Sequence, residues 1–251
     1  MQGELAPNRQ VFRITGADAR KFLQGMITND VKRLDDGMIW AALLTPQGKY
    51  LADFFIAPEG DALLLDVHTD LAKGLAQRLT MYKLRSDVQI EPTDLKVIRG
   101  VGSKPEGAFD DPRHPALGWR AYDTAAPEHA ESIDWDALRV AHLVPETGVE
   151  LIPNDSYILE CSFEALNGVD FRKGCYVGQE VTARMKHKTE LRKGLARVSV
   201  SEPVSIGAEI TANGKPVGTI FTQANGEGIA YLRFDRAKGD MQAGSATLRV
   251  V

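Results

Sequence analysis

Cysteine is scarce in this sequence, which has only Cys161 and Cys175 among its 251 residues. Two cysteines cannot build a framework of several disulfides. A four-ligand zinc site would also need histidines, and the chain has five, scattered singly. We therefore predict neither a disulfide-stabilised secreted protein nor a metal centre. The low cysteine content gives no indication of an oxidising compartment.

Long apolar runs and nucleotide-binding motifs are also missing. Runs such as Ile39–Leu44 are far shorter than the roughly 20 residues that span a bilayer, and residues 1–10 do not resemble a secretory signal. Neither a P-loop nor a Gly-x-Gly-x-x-Gly run after a strand is present. The net charge of −4 argues against coating of nucleic acid. These features predict a cytoplasmic protein with no membrane partner and no direct nucleic-acid partner.

The residue pattern before residue 191 predicts an α+β fold. The composition, 43% hydrophobic and 25% charged, is ordinary for a globular chain. Met38–Leu44 and Tyr50–Ala57 read as a strand hairpin, and Gln10–Ile14 as another strand. Asp70 is the expected N-cap of a helix whose leucines recur about every four residues. We read residues 102–118, rich in chain breakers, as a surface loop.

After residue 191 the pattern becomes a series of short strands, and Asn213-Gly214 is a strong hairpin signal. This predicts a small β-barrel. We therefore divide the chain into an α+β region of residues 1–190, with a loop near 102–118, and a C-terminal β-barrel of residues 191–251.

The segment 170–184 combines residue types that suit a binding site. Cys175 lies between Gly174 and Gly178, which permit unusual backbone angles or close approach to a ligand. Arg172 and Lys173 would favour the Cys175 thiolate if their side chains pointed toward it. Further along, Tyr176 offers a flat face or a hydroxyl, and Gln179 and Glu180 offer polar groups for the hydrogen-bonding edge of a ligand. From spacing alone, a glycine-containing turn around a buried cysteine is the commoner outcome.

Cysteine and charge distribution separate this segment from the rest of the chain. Cys161 has no adjacent base and reads as a small core residue. Between Arg172 and Lys193 there are seven basic and two acidic residues, so a local excess of positive charge sits in an acidic protein. Such a stretch can meet an anionic ligand or partner, although a solvated surface is the more common explanation.

The run Lys173–Glu180, with Arg184 four positions on, resembles the signature of the YgfZ-type folate-binding proteins. These proteins act in maturation of iron–sulfur enzymes and are relatives of the glycine cleavage T-protein, an aminomethyltransferase. The runs Thr15–Gly25, Thr45–Asp53 and Gly214–Thr219 are also similar to that family. The resemblance implies two intertwined antiparallel α+β subdomains and a C-terminal β-barrel around a central folate site.

The resemblance also implies roles for single residues. Asp53 matches the aspartate that the T-protein relatives place beside the reactive nitrogens of tetrahydrofolate, where a carboxylate could orient the pterin or assist proton transfer. Its alternative is a polar strand residue facing solvent. Cys175 matches the signature cysteine, which the T-protein lacks, and is the candidate catalytic residue. It could ligate iron, hold a persulfide or accept a one-carbon unit. The remaining implied contacts to tetrahydrofolate, or to a folate derivative, are Lys173, Gly174, Tyr176, Gln179, Glu180 and Arg184.

Three functions follow as hypotheses. The first is a tetrahydrofolate-binding factor that supports assembly or repair of iron–sulfur clusters, with the assembly machinery or client iron–sulfur enzymes as partners. The second is a folate-dependent one-carbon transferase, favoured by Asp53, whereas Cys175 counts against plain aminomethyl transfer. The third is a scaffold that docks an acidic partner through the basic stretch 184–193. A permanently bound cluster is not expected, because one candidate cysteine cannot supply four thiolates.

Overall fold

A computed structural model describes residues 2–127, 129–130, 132–188 and 191–251. Within these ranges the regular elements are four helices and a series of strands. In chain order they are β1 (Gln2–Leu5), β2 (Arg9–Thr15), α1 (Ala19–Met26), β3 (Ile39–Leu44), β4 (Tyr50–Glu59), β5 (Ala62–His68), α2 (Thr69–Tyr82), β6 (Gln89–Pro92), β7 (Lys96–Gly100), β8 (Phe109–Asp110), β9 (Trp119–Asp123), β10 (His129–Ala130), α3 (Trp135–His142), α4 (Gln179–Lys188), β11 (Lys193–Val200), β12 (Glu209–Ala212), β13 (Lys215–Ala224), β14 (Glu227–Arg233), β15 (Met241–Ala243) and β16 (Ala246–Val250).

The chain forms two compact units. The first contains residues 1–133 and 164–181, and the second contains residues 134–163 and 182–251. This division differs from a boundary at residue 190, because the α3 region returns to the C-terminal part of the chain and packs with the barrel strands β13 and β14. The sequence pattern does not predict this packing, because it depends on contacts between segments that are far apart in the chain.

The first unit holds two five-stranded sheets through which the chain passes in turn. One has the order β3-β4-β5-β2-β6, and the other has the order β10-β1-β7-β9-β8. The chain starts in the second of these sheets with β1, builds the first from β2 to β6, and returns with β7. This interleaving is the intertwined α+β arrangement expected from the sequence.

The main core of the first unit lies between the β3–β6 sheet and its helices. Alternate residues of β3 and β4, among them Ala41, Leu43 and Phe54, join Leu23 of α1 and Leu75 of α2 in one buried cluster. Because successive side chains of a strand point to opposite faces, the residues between them face away from the helices. That second face is also buried, since every residue of β3 is buried, and it carries the polar residues described below.

Within the second unit the strands β11-β14-β13-β12-β15-β16 close into a barrel, as the sequence predicts. The hairpin at Asn213 and Gly214 is confirmed, with positive φ at both residues. Buried polar bonds hold the α3 region on this barrel: the carboxylate of Glu150 accepts from the Thr222 hydroxyl at 2.6 Å and also from the guanidinium of Arg139. No helix in the described part of the chain has both the length and the apolar character needed to cross a membrane.

Two local expectations are corrected by the structure, and one helix is present that the sequence pattern does not predict. The N-cap of α2 is His68, whose Nδ1 accepts from the backbone N–H of Asp70 at 3.3 Å, so Asp70 lies in the first turn. The segment 102–118 is not all surface, because Asp111 is buried and the side chain of Arg113 is mostly buried. Helix α4 escapes sequence detection because few of its residues are apolar and no apolar stripe marks it.

Candidate functional site

The segment 170–184, which contains Cys175 and is called the signature segment from here on, supplies hydrogen bonds to the C-terminal end of helix α1. The last carbonyls of a helix have no partner within it. Here the Gln24 carbonyl accepts from Nζ of Lys173 at 2.8 Å, and the Gly25 carbonyl accepts from the backbone N–H of Val177 at 3.3 Å. The signature segment therefore supplies the hydrogen bonds that the sequence of α1 leaves open.

Lys173 is the centre of this junction. Its side chain is buried, and Nζ donates to the carbonyl oxygens of Gln24, Ile27 (2.5 Å) and Asn29 (2.9 Å). Burial lowers the pKa of the Lys173 ammonium to about 8, while Asp30 and Asp170 act in the opposite direction. The ammonium is still the main form at neutral pH, and its three N–H groups match three acceptors. The side chain thus points at backbone carbonyls, and its hydrogen bonds do not go to the Cys175 thiol.

Asp170 anchors the start of the same segment. Its Oδ2 accepts from Nη2 of Arg33 at 2.7 Å, its Oδ1 accepts from the backbone N–H of Arg172 at 2.7 Å, and its own N–H donates to the Thr28 carbonyl. Burial acts to raise the pKa of the Asp170 carboxyl, but the hydrogen bonds from Arg172 and Arg33 outweigh it and hold the pKa below its usual range. The segment is therefore fixed at both Asp170 and Lys173.

Gly178 is required where the segment meets the turn between β3 and β4. Its φ is +85°, and a Cβ there would lie 2.6 Å from the Thr45 carbonyl oxygen. In the facing turn, Gly48 has φ +75°, and a Cβ there would lie 2.9 Å from Cβ of Val181. Gly174, in contrast, has open space around the position of a Cβ. The predicted unusual backbone angle is therefore present at Gly178, whose backbone lies against the turn between β3 and β4.

The two cysteines differ as the sequence suggests. Cys161 is 1% exposed, and burial raises the pKa of its thiol to about 12, so it is a core residue. Cys175 is exposed. Tyr176 is buried and lies with its ring 5.0 Å from Nζ of Lys173. The structure thus places Cys175 at the surface of a loop fixed by its neighbours on both sides.

The other predicted contacts lie on α4. Gln179, partly exposed, and Glu180, exposed, form its first turn and belong to the first unit. Arg184 is exposed and belongs to the second unit. In the basic stretch 184–193, Thr189 and Glu190 fall outside the described residues.

Asp53 lies on the buried face of β4 that points away from the helices. It is 5% exposed, which excludes the alternative of a solvent-facing strand residue. Its Oδ2 accepts from the indole N–H of Trp40 at 2.9 Å, and its Oδ1 accepts from the hydroxyl of Tyr50 at 2.7 Å.

Beside Asp53 on the same face lies an arginine cluster, Arg9, Arg113 and Arg120, around the ring of Phe55. Their guanidinium carbons lie 5.6, 4.7 and 3.9 Å from the ring centroid. Stacking of guanidinium on an aromatic face is favourable when the cation is removed from water. We call Trp40, Tyr50, Asp53 and Phe55, together with the arginine cluster, the polar layer.

Two aspartates balance part of this charge. Asp66 is fully buried, and its Oδ1 accepts from Nε of Arg9 at 2.5 Å while its Oδ2 accepts from Nη1 of Arg120 at 3.1 Å. Asp111 pairs with Arg113 at 2.7 Å. Burial lowers the pKa of the Arg120 guanidinium, and Asp66 opposes this effect. Burial likewise acts to raise the pKa of Asp111, but Arg113 outweighs it and the pKa is lowered.

Arg120 leaves one donor of the polar layer unused. Its Nε is buried and has no hydrogen-bond partner within the described ranges of the chain. A buried donor without an acceptor costs about 1–3 kcal/mol, so such a group calls for an explanation. A ligand that binds in the polar layer and accepts a hydrogen bond from Arg120 Nε would explain this unpaired donor.

Short hydrogen-bond paths connect the polar layer to the signature segment. The Thr28 hydroxyl donates to the Gly168 carbonyl at 2.6 Å and accepts from the N–H of Ala42 at 2.8 Å, and Ala42 is the strand partner of Asp53. Asn29 extends this link, since its amide donates to the carbonyls of Trp40 and Asn167. Both candidate places therefore belong to one hydrogen-bonded assembly in the first unit.

Sequence reasoning missed the arginine cluster. Arg113 falls in a segment read as a surface loop, Arg9 near the chain start, and Arg120 in a short strand, so the three are separated by many residues. Only the pairing of β2 with β5 and the packing of β9 bring them to Phe55. The weak signal available was an arginine flanked by apolar residues in β9, which is unusual for a buried strand. Among the described residues, no group of three or more His, Cys, Asp or Glu could hold a metal ion.

Comparison with known proteins gives matches over the whole chain and over the barrel. Residues 192–251 match the family model of the CAF17 C-terminal beta-barrel domain. The crystal structure of the glycine cleavage system aminomethyltransferase T from Bartonella henselae superposes with a TM-score of 0.76 over 99% of this chain and 84% of that one, at 12% identity. The expectation of a T-protein-like fold is confirmed.

Curated relatives are named as iron–sulfur cluster assembly factors. The chain is 29% identical to the mitochondrial iron–sulfur cluster assembly factor IBA57 homologue of Mycosarcoma maydis, over 96% of this chain and 75% of the relative. It is 29% identical to human mitochondrial IBA57, over 93% and 78% of the two chains. The Neurospora crassa homologue is 32% identical, over 74% of this chain and 51% of the relative.

The expected cytoplasmic location is wrong. It is contradicted by the relatives, which are named as mitochondrial proteins. The inference failed because low cysteine content and modest net charge are compatible with either compartment, so composition could not distinguish them.

Proposed function

We propose that this chain, a homologue of the IBA57 iron–sulfur cluster assembly factors of the YgfZ type, supports assembly or repair of iron–sulfur clusters in client enzymes. We further propose that it binds a reduced folate in order to do so. The cluster-assembly part rests on the relatives. The folate part rests on one observation, the buried carboxylate of Asp53 in the polar layer. Its partners are then folate and the assembly machinery or client enzymes.

The polar layer has the chemistry that a reduced folate requires. A pterin is flat and carries N–H groups along one edge, which suit an aromatic surface and a carboxylate acceptor. Asp53 supplies the carboxylate, and Trp40 and Tyr50 fix its orientation through their hydrogen bonds. Folate also carries acidic groups, and the unused Nε donor of Arg120 suits an acceptor oxygen of one of them.

The signature segment gives the proposed second component. Cys175 is the exposed thiol, Lys173 holds its loop against the end of α1, and Asp170 holds it against Thr28 and Arg33. We assign Lys173 a positioning role, because its three N–H groups are directed at carbonyls. In this proposal Cys175 carries the chemistry with iron, a persulfide or a one-carbon unit. Gly174, Tyr176, Gln179, Glu180 and Arg184 stay proposed folate contacts.

Calorimetric titration with tetrahydrofolate tests the folate part. We expect the full-length chain to bind, and Asp53→Asn to weaken binding at least tenfold, because one of the two acceptor oxygens is replaced by an NH2 group that can only donate. Glu59→Gln is the matched control, since Glu59 lies at the end of the same strand in an ion pair with Arg13 that is more than one-third exposed. Equal affinity of wild type and Asp53→Asn would remove Asp53 from the site. The absence of binding to any reduced folate would refute the folate part.

Complementation in cells tests the cluster part. Cells that lack the protein are expected to lose activity of iron–sulfur enzymes, and wild type and Cys161→Ala are expected to restore it, whereas Cys175→Ser is not. Full restoration by Cys175→Ser would refute the assignment of Cys175. Unchanged iron–sulfur enzyme activity in cells without the protein would refute the cluster function itself.

The presence of Asp53 also favours a second function, one-carbon transfer with folate as the acceptor. Turnover of a methyl or aminomethyl donor with tetrahydrofolate, abolished by Asp53→Asn, would support it. A chain that binds folate but turns over no donor leaves the assembly role in place.

A further inference from the structure

The end of helix α2 presents an apolar and basic cleft that the proposed function does not use. The cleft has a volume of about 830 Å³ and lies in the first unit. It is lined by Asp18, Lys21, Phe22, Tyr82, Lys83, Leu84, Arg85 and Ser86. Binding sites for small ligands or inserted side chains have volumes of this order, about 300–1,000 Å³.

Leu84 is the most unusual residue of this cleft. It follows the C-cap of α2 with φ +48°, a left-handed position where glycine is preferred, and its side chain is 85% exposed. The chain thus holds an apolar side chain in water and in a conformation that disfavours it. Strained backbone conformations of this kind are concentrated at functional sites. Leu143 shows the contrast, because it has the same left-handed conformation after α3 but is partly buried.

Exposed apolar residues surround Leu84. Met81 is 61% exposed and Tyr82 38% exposed, and the partly buried Phe22 also lines the cleft. Such side chains cluster at protein interfaces, with aromatic residues and methionine enriched there. Phe22, Tyr82 and Leu84 therefore form the apolar part of the cleft lining.

The charged residues in the chain segment that forms this part of the cleft are all basic. From Leu71 to Ser86 the sequence contains Lys73, Arg78, Lys83 and Arg85 and no acidic residue. Lys21 adds a cation from α1. Asp18 is the acidic residue in the cleft lining, and its Oδ2 already accepts a hydrogen bond from the backbone N–H of Asp87. A complementary partner is therefore acidic.

We propose that this cleft docks an acidic segment of a partner protein that inserts an apolar side chain against Leu84. The cations Lys21 and Arg85 meet carboxylates of that segment, and neither forms an ion pair within the part of the chain that the structure describes. This docking goes beyond the proposed function, because the cleft shares no residue with the polar layer or the signature segment.

Site-specific crosslinking in cells tests the proposal. The full-length chain carries p-benzoylphenylalanine in place of Leu84, and a matched control carries it in place of Ile206, which is 64% exposed on the barrel unit. We expect a crosslink from position 84 and not from position 206, to a protein segment that contains several acidic residues and an apolar one. A synthetic peptide of that segment then serves as the probe for measured affinities.

The affinities decide the outcome. We expect Leu84→Gly and Arg85→Glu each to lower the affinity for the peptide at least tenfold, whereas Ile206→Ser has no effect. The affinity of the wild-type chain for the peptide should fall as the salt concentration rises. Leu84→Gly is not expected to unfold the chain, because glycine accepts the left-handed conformation. Its thermal midpoint should not fall below that of wild type, and its tetrahydrofolate titration should match wild type. A neutral or basic crosslinked segment, a crosslinked lipid, or equal peptide affinity for Leu84→Gly would overturn the docking proposal. None of these outcomes alters the folate or cluster tests.

Discussion

Replacement of Lys173 by methionine tests how the signature segment is held against α1. Methionine keeps most of the side-chain volume and loses the ammonium, so the carbonyls of Gln24, Ile27 and Asn29 lose a charged donor at 2.5–2.9 Å. Each buried acceptor left without its partner costs about 1–3 kcal/mol, and relief from burial of the charge offsets part of the sum. We expect a net loss of about 3 kcal/mol in the free energy of unfolding.

Both the size of this loss of stability and its location in the chain can be measured. For a chain of this length, about 3 kcal/mol lowers the thermal midpoint by roughly 6–12 °C. Differential scanning calorimetry gives the midpoint of the first unit, and amide hydrogen exchange locates the change to residues 24–29 and 170–178. Alkylation of Cys175 should also accelerate, because its loop loses one anchor. Lys73→Met, at an exposed position of α2, is the matched control.

Two outcomes would refute this role of Lys173. If Lys173→Met and Lys73→Met change stability by the same small amount, the carbonyl contacts do not hold the loop. If stability falls but exchange at residues 24–29 stays at the wild-type rate, the loss arises elsewhere and the positioning role is wrong.

Three further predictions concern the same segment. Gly178→Ala should lower stability by about 2 kcal/mol or more, since a Cβ meets a backbone oxygen at 2.6 Å and φ is +85°, whereas Gly174→Ala, with open space around it, should be near neutral in urea unfolding. Because the folded-state pKa of Asp170 lies below its unfolded value, its stabilisation is present above about pH 4 and is lost as pH falls through the lowered pKa. The stability gap between wild type and Asp170→Asn should therefore close in acid, and a gap independent of pH would contradict this. Iodoacetamide should modify Cys175 and spare Cys161 in the native protein, because the Cys161 thiol is buried with a pKa of about 12, and mass spectrometry of the digest decides the matter.

Local patterns predicted much of the fold. The hairpin of β3 and β4, the barrel after residue 191 and the Asn213-Gly214 turn follow from periodicity and turn chemistry, which act over a few residues. The short strands β1 and β15 were not identified, because three or four residues carry too little periodicity to be distinguished from a loop. Helix α4 was missed for want of an apolar stripe.

The candidate site was visible only in part. The signature segment drew attention to Cys175 and Lys173 through composition, but the direction of the Lys173 side chain depended on where α1 ends. The sequence suggested that Lys173 acts on the thiol, and the structure directs it to carbonyls. The exposed, strained Leu84 has no mark in the sequence, since a leucine after an amphipathic helix is ordinary until its φ and exposure are known.

The sequence by itself determined the family resemblance, the α+β and barrel classes, and the inequality of the two cysteines, because these depend on local residue order and on short-range preferences. Tertiary structure alone decided that Asp53 is buried, that three arginines far apart in the chain meet at Phe55, and that residues 134–163 pack with the barrel. The physical reason is that side-chain burial and charge pairing depend on which strands become neighbours. That choice is made by the packing of the whole chain, and no single segment encodes it.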